Sequence, residues 1–431
     1  MTIPVLFTVG LCQGPAIQFL GKDGLKDVPP LWWSYYEDDL AALSFFHKDY
    51  ANSTKLSIEL DDKIAKDSKA AGGDNYTTIT TLSARQAFGA TQLVGTKDKP
   101  YFFLKEISSN GNMQTVDVIY PAMPIFLYTN PELLKLMLDP HFENQESGHY
   151  PNPHAIHDLG SNYPNGTAHP DGKDEPMPVE ECGNQMIMVL AYVQHTGNAD
   201  YIRSHYKILM QWVEFLIRDS LIPAWQLSTD DFAGEMHNQT NLALKGIIGI
   251  QAMARMSSIV GEIEHANNFS AIAHEYIGKW IGHGMNLASK PPHSMLNYNN
   301  ESTHGLLYNL YNDRLLNLSL VPQEIYDVQS NFYPTVAEPY GVPLDTRHGY
   351  SKTDWQIFCA AVAGRDTKKM FIDAVARFAG ETPSNKPWSD LYETQNGWQA
   401  FIDFKARPVA GGHFAVLLVD GEGYTAPKRY F

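Results

Sequence analysis

Two kinds of helical signal alternate along this chain, and no other feature limits its fold as strongly. Met186–Val193 (MIMVLAYV) is apolar all round, and Leu242–Met253 is nearly so, with Lys245 its single charge. Gly305–Leu310, Trp355–Val362 and Phe414–Val419 are also apolar. Between them run segments with one apolar stripe: Leu56, Leu60 and Ile64; Leu133, Leu134, Leu136 and Met137; Ile202, Tyr206, Leu209, Val213 and Leu216; residues 268–280; and Met370–Phe378. A helix that is apolar on every side must be surrounded by protein, whereas a striped helix covers a core from outside. About six rounds of buried and covering segments predict a double ring, an all-α (α/α)6 toroid of six helical hairpins. No repeat of fixed period supports a solenoid instead. Pro4–Leu20 reads as a strand and a turn, so residues 1–25 are expected to be a β remnant or linker ahead of a toroid over residues 26–431.

The polar stretches fall just before the buried segments. His157-Asp158-Leu159-Gly160 through Pro178-Val179-Glu180-Glu181-Cys182-Gly183-Asn184 precedes the one at 186, and Ser228-Thr229-Asp230-Asp231 the one at 242. Leu344-Asp345-Thr346-Arg347-His348 through Lys352-Thr353-Asp354-Trp355 precedes another, and Gly411-Gly412-His413 the last. If the inner helices run parallel, these loops meet at one mouth. Helix N-termini, with free N–H groups and positive dipole ends, favour carboxylates there. The adjacent pairs Glu180-Glu181 and Asp230-Asp231, with Asp345, are therefore the candidate catalytic carboxyl groups: mutual repulsion keeps one protonated as an acid while another stays ionised. Such a set suits hydrolysis of an amide or a glycosidic bond, and an inverting glycosidase would hold its two groups ~6.5–9.5 Å apart. Arg347, His348 and Lys352 are candidates for gripping a ligand carboxylate or sugar hydroxyls. Tyr163 and Trp355 offer stacking surfaces, and Asp158, Asn184 and His413 share the same loops. Ser228-Thr229-Asp230-Asp231 also reads as ordinary N-cap chemistry.

The net charge of -16 argues against a nucleic-acid partner, which would need a basic face. No apolar run approaches the ~20 residues of a membrane span. Cys12, Cys182 and Cys359 form no C-x-x-C pair and no disulfide scaffold. The histidine-rich stretch His154, His157 and His169 with Asp158 fits no standard zinc spacing, so no metal or cofactor is expected. Ser204-His205-Tyr206-Lys207 has the S-x-x-K spacing but lies inside a covering helix. Asn-x-Ser/Thr sequons begin at Asn52, Asn75, Asn165, Asn238, Asn268, Asn300 and Asn317, about twice the chance expectation. Their density favours an extracellular, glycosylated protein, although residues 1–20 do not read as a signal peptide.

Several long strings carry a family resemblance. They are Tyr128-Thr129-Asn130-Pro131-Glu132-Leu133-Leu134, His157-Asp158-Leu159-Gly160, Pro178-Val179-Glu180-Glu181-Cys182-Gly183-Asn184, Leu227-Ser228-Thr229-Asp230-Asp231-Phe232-Ala233-Gly234, Gln329 through Ala337, Gly341 through His348, and Ala406 through Phe414. From Lys105-Glu106-Ile107-Ser108-Ser109-Asn110-Gly111 onward the chain resembles the fungal glutaminase A family. The resemblance implies a secreted hydrolase converting L-glutamine to L-glutamate and ammonia, and a C-terminal six-helical-hairpin domain. Family members also carry a signal peptide and an N-terminal β-rich domain, so the chain is expected to be a shortened form, with the missing domain as a partner. The residues add the roles: Arg347 for the substrate α-carboxylate, one acid of the paired carboxyls for its ammonium, another to activate water. Two alternatives stand beside this. One is a six-hairpin glycoside hydrolase acting on an oligosaccharide, with Asp230 or Asp231 as acid and Glu181 or Asp345 as base. The other is a non-catalytic glycan-binding remnant.

Overall fold

The structure, a computed structural model, describes residues 5–106, 108–402 and 404–431. Pro4 of the expected first strand and Ile107 of the Lys105–Gly111 string lie outside the described residues. The chain opens with an antiparallel pair, β1 (Ile17–Gly21) and β2 (Gly24–Val28). A short helix, α1 (Asp39–Lys48), leads into the long α2 (Tyr50–Gly89). A hairpin of β3 (Thr91–Thr96) and β4 (Lys99–Leu104) follows, and a two-residue strand, β5 (Asn165–Gly166), later joins β1 in parallel. These strands share a small core of their own, in which Phe19 meets Tyr101 and Phe103 edge-on.

The rest is the double ring. Going along the chain, outer and inner segments alternate: after α2 come α3 (Val116–Thr129), α4 (Pro131–Glu146), α5 (Pro178–Thr196), α6 (Ala199–Asp219), α7 (Thr240–Val260) and α8 (Ile263–Gly284). Then follow α9 (Leu310–Leu315), α10 (Gln323–Phe332), α11 (Thr353–Val362), α12 (Arg365–Glu381) and a 3-10 run, Pro408–Leu418. The inner members are α3, α5, α7, α9, α11 and the 3-10 run. Each packs on the next, and the 3-10 run packs back on α3, which closes the ring. The second half of α2, beyond Gly73, covers the 3-10 run from outside. Gly73 makes that placement possible: its φ of 79° breaks α2 at a conformation that L side chains rarely adopt.

Burial follows the two sequence patterns. Every residue of α5 from Val179 to Gln194 is buried. In α6 only a stripe is, including Ile202, Leu209, Trp212, Val213 and Leu216. Each such fully buried aliphatic side chain contributes about 1.5–3 kcal/mol. Two inner segments differ from the expected helices. Residues 305–309 are not helical, because Gly305 pairs as a bridge with Asp345 and Leu306 N–H donates to Leu344 O; α9 starts only at Leu310. The last inner segment is a tight 3-10 run because Gly411 and Gly412 lie against the backbone of α3. A Cβ on Gly411 would stand 2.6 Å from Ala122 O, and one on Gly412 would stand 2.7 Å from Pro121 O.

Candidate active site

The inner helices present their N-termini at one mouth, and several of the charged residues that interrupt their apolar sequences are found there. Asp117 is the second residue of α3; Glu180 and Glu181 lie in the first turn of α5; Asp354 lies in the first turn of α11. Asp230 and Asp231 sit in the loop before α7, and Arg407 stands just ahead of the 3-10 run. The long connection between α4 and α5 folds over the mouth and delivers His157, Asp158, His169 and Glu175.

His157 is the hub of one half. Its Nδ1 meets Asp158 Oδ2 at 2.8 Å, while Nε2 faces Asp117 Oδ1 at 3.5 Å, Glu175 Oε2 at 3.8 Å and Glu181 Oε1 at 4.0 Å. Burial opposes a charge on this imidazole, but Asp117, Asp158 and Glu181 outweigh it and hold its pKa well above the usual value. Asp117 feels the reverse: burial raises it, yet His157 draws it below the ordinary carboxylate range. Glu181 is pushed well up by burial and by the charge of Asp117. Asp231 is also raised, first by burial and then by Asp117; Glu175 is raised by burial, with Asp231 adding to it. Carboxyl groups of opposite tendency thus share one small volume, the condition under which acid and base can coexist near neutral pH. Asp117 Oδ1, Glu180 Oε2 and Glu181 Oε1 are buried and accept no hydrogen bond from the described residues. Buried acceptors usually find a partner, and these three come from the first turns of two adjacent inner helices, α3 and α5.

The other half is a buried network of ion pairs and hydrogen bonds. Lys245, the one buried charge of α7, has its Nζ 2.5 Å from Glu180 Oε1 and 2.7 Å from Asn184 Oδ1, and 3.5 Å from the centre of the Tyr120 ring. Gly183 lets α5 and α7 come this close, since a Cβ there would stand 2.7 Å from Lys245 Cγ. Asn184 donates to Glu181 Oε2 at 3.0 Å, which ties the two halves together. Asp230 accepts from Tyr308 Oη at 2.8 Å and from Trp355 Nε1 at 3.0 Å, and burial lifts its pKa to about 7. Lys352 pairs with Asp354 at 3.1 Å and stands 3.7 Å from Asp390, which Arg407 also contacts at 3.1 Å; Arg407 reaches Glu106 at 2.8 Å.

The expected site residues therefore divide. Glu180, Glu181, Asp230, Asp231, Asp158, Asn184 and Lys352 belong to the mouth cluster. Asp345 is tied to it through Arg347, whose guanidinium donates to both carboxylate oxygens at 3.0 and 2.7 Å, and to Ala233 O of the Asp231 turn at 3.0 Å. That grip occupies both oxygens of Asp345. His348 is half-buried and stacks on Tyr350 at 4.5 Å. Trp355 is buried, with its ring stacked on Tyr308 at 4.1 Å, so it is a support for Asp230 and not an open platform. Two expected binding residues stand apart. Tyr163 lies beside β5, under the Lys105 ammonium at 3.9 Å, and its hydroxyl meets Gln13 and Gln92. His413 points away from the mouth to Ser83 of α2, at 2.6 Å, and burial drops its pKa to about 3. Asp117, His157 and Glu175 were not among the expected catalytic set. The signal for Asp117 was available: it is the one charge in VDVIYPAMPIFLYT, as Lys245 is in Leu242–Met253.

Comparison with known proteins agrees with this architecture. The family model described as the glutaminase A six helical-hairpin domain matches residues 73–417, and one described as a domain of unknown function, DUF5127, matches residues 1–67. A protein of Aspergillus oryzae named Glutaminase A is 58% identical over 416 residues, covering 96% of this chain and 60% of the relative. A probable glutaminase of Arthroderma benhamiae is 37% identical over 500 residues, covering 96% of this chain and 58% of the relative. The chain thus spans about three fifths of the length of these relatives. Among solved structures, a glycosidase in complex with glucose matches with a TM-score of 0.50 at 12% identity, over 83% of this chain and 96% of that one, a likeness of fold alone. With its six-hairpin model matched from residue 73 to residue 417, the chain belongs to the glutaminase A family.

Proposed function

We propose that this chain carries the hydrolytic site of a secreted glutaminase, which turns L-glutamine and water into L-glutamate and ammonia. The observation behind the reading is the 58% identity with a protein named Glutaminase A, and the mouth supplies chemistry to match. Amide hydrolysis needs a water held against the side-chain carbonyl carbon, a base for its proton and an acid for the departing nitrogen. In this reading Asp117, His157 and Glu181 form the floor that holds the water. Glu175, raised by burial and partly open to solvent, takes its proton. The C–N bond breaks, the carbon keeps the water oxygen as a new carboxylate, and Asp231 on the rim passes its proton to the leaving ammonia. Arg347 touches the Asp231 turn and keeps 29% of its side chain exposed, so it is placed to meet the substrate α-carboxylate while holding Asp345.

The test is ammonia release from L-glutamine by the purified chain and by the full-length protein. Release by either supports the reading, and none from both sinks it. Sugar release from an oligosaccharide panel without ammonia would transfer the same carboxyl groups to glycoside hydrolysis. Secretion is part of the proposal because none of the seven sequon asparagines is buried. Enzymatic deglycosylation of the protein from its native host should shift its electrophoretic mobility, and an unchanged band would count against export.

A further inference from the structure

We propose that the floor of the mouth is a binding site for a divalent transition cation of the zinc class, held by Asp117, His157 and Glu181. Their ligand atoms all lie within 4.8 Å of one another, although the residues are up to 64 positions apart in sequence. The sequence alone suggested a different and weaker histidine cluster, because only the fold brings α3, α5 and the connection before α5 to one point.

Three observations carry the proposal. First, the donor set is one imidazole nitrogen and two carboxylate oxygens, a three-ligand set that leaves a further position open for water. The imidazole favours a zinc-like ion over magnesium or calcium, which take oxygen ligands. Second, two of the three donor atoms lack a hydrogen bond. Asp117 Oδ1 and Glu181 Oε1 are buried, with side chains 8% and 1% exposed, and accept no hydrogen bond from the described residues. Both face His157 Nε2, at 3.5 and 4.0 Å. Donors around a tetrahedral ion at ~2.0–2.2 Å stand roughly 3.3–3.6 Å apart, so the Asp117–His157 pair already fits and Glu181 has to close on His157 by about half an ångström. Third, the histidine is braced as a metal ligand is. Asp158 holds Nδ1 at 2.8 Å, and is itself held by His169 at 2.7 Å, Asn112 Nδ2 at 3.2 Å and Gly160 N–H at 2.7 Å. That carboxylate–histidine arrangement leaves Nε2 aimed at the two orphaned oxygens. Glu175 Oε2, 3.8 Å from the same nitrogen, stands by as an outer partner.

The location rests on the mouth described above, but cation binding does not depend on glutamine being the substrate. The experiment is calorimetric titration of the chelator-stripped chain with ZnCl2, repeated with CoCl2 followed by visible absorption. One tight site per chain is expected, with cobalt d–d bands of a low-symmetry site. His157→Gln and Asp117→Asn should each weaken it by at least 100-fold, and Asp158→Asn by about 10–100-fold. His274→Gln, on an exposed face of α8, should leave it intact. Circular dichroism checks that the variants fold, and the isosteric Asp117→Asn carries the test if His157→Gln does not. No tight site in the wild-type chain, or a tight site that survives in folded Asp117→Asn, overturns the proposal. Zinc binding is read without substrate, so its failure leaves ammonia release to be judged separately, and the reverse also holds.

Discussion

Replacing Asp230 by Asn should change the pH dependence of stability in a way that can be worked out beforehand. Burial lifts this carboxyl to about 7, against the opposing pull of Lys352, Tyr308 and Trp355. In the unfolded chain it returns to about 3.9. Between those values the folded protein holds a proton that the unfolded chain has lost, so stability falls as pH rises. This contribution is fully present below about pH 4 and gone by about pH 7. A shift of about 3 units at 1.36 kcal/mol each amounts to about 4 kcal/mol. Asn keeps the shape and an acceptor oxygen for Trp355 Nε1 but has nothing to titrate. Urea unfolding of both proteins at half-unit steps from pH 4 to pH 7.5 gives the difference directly, because other titrating groups largely cancel. The wild type should lose about 4 kcal/mol relative to Asp230→Asn across that range, with a steepest slope of about 1.4 kcal/mol per pH unit. A difference constant to within about 0.5 kcal/mol would refute the argument that burial controls this carboxyl.

The inner ring supports two further predictions. Lys245→Met keeps the aliphatic stem but leaves Glu180 buried and unpaired, and should cost about 3–5 kcal/mol by urea unfolding; adding Glu180→Gln should recover part of that loss. Gly183→Ala puts a methyl 2.7 Å from Lys245 Cγ, where α5 meets α7, and should cost about 1–3 kcal/mol, read as a lowered unfolding midpoint.

The ring was legible because its cause is local: a segment such as Met186–Val193, apolar on every side, has only one kind of place in a folded protein. The mouth was legible for a related reason, since carboxylates just ahead of such segments lie at helix N-termini. Its inner arrangement was not. Asp117 and Glu181 are neighbours only because α3 and α5 are adjacent in the ring, and His157 reaches them only because a long connection folds back. Residues 305–309 misled for the same reason, as their apolar side chains are buried by a bridge to Asp345 and not by helix formation. Arg347 and Asp345, two residues apart, had separate expected roles, yet the structure has them bind each other. Trp355 looked like a stacking surface, but the aromatic beside it, Tyr308, already covers its face. Lys245 and Asp117 carry a signal of their own: a single charge inside an apolar segment needs a partner, and the partner marks a site.

Asp231, the rim carboxyl that gives up its proton in the proposed reaction, is the most direct point of test. Steady-state ammonia release from L-glutamine should be compared between the wild-type chain and Asp231→Asn, with folding checked by circular dichroism. A fall in kcat of about 10²–10⁴-fold with little change in KM is expected. A folded Asp231→Asn that turns over glutamine within about twofold of the wild type would contradict it.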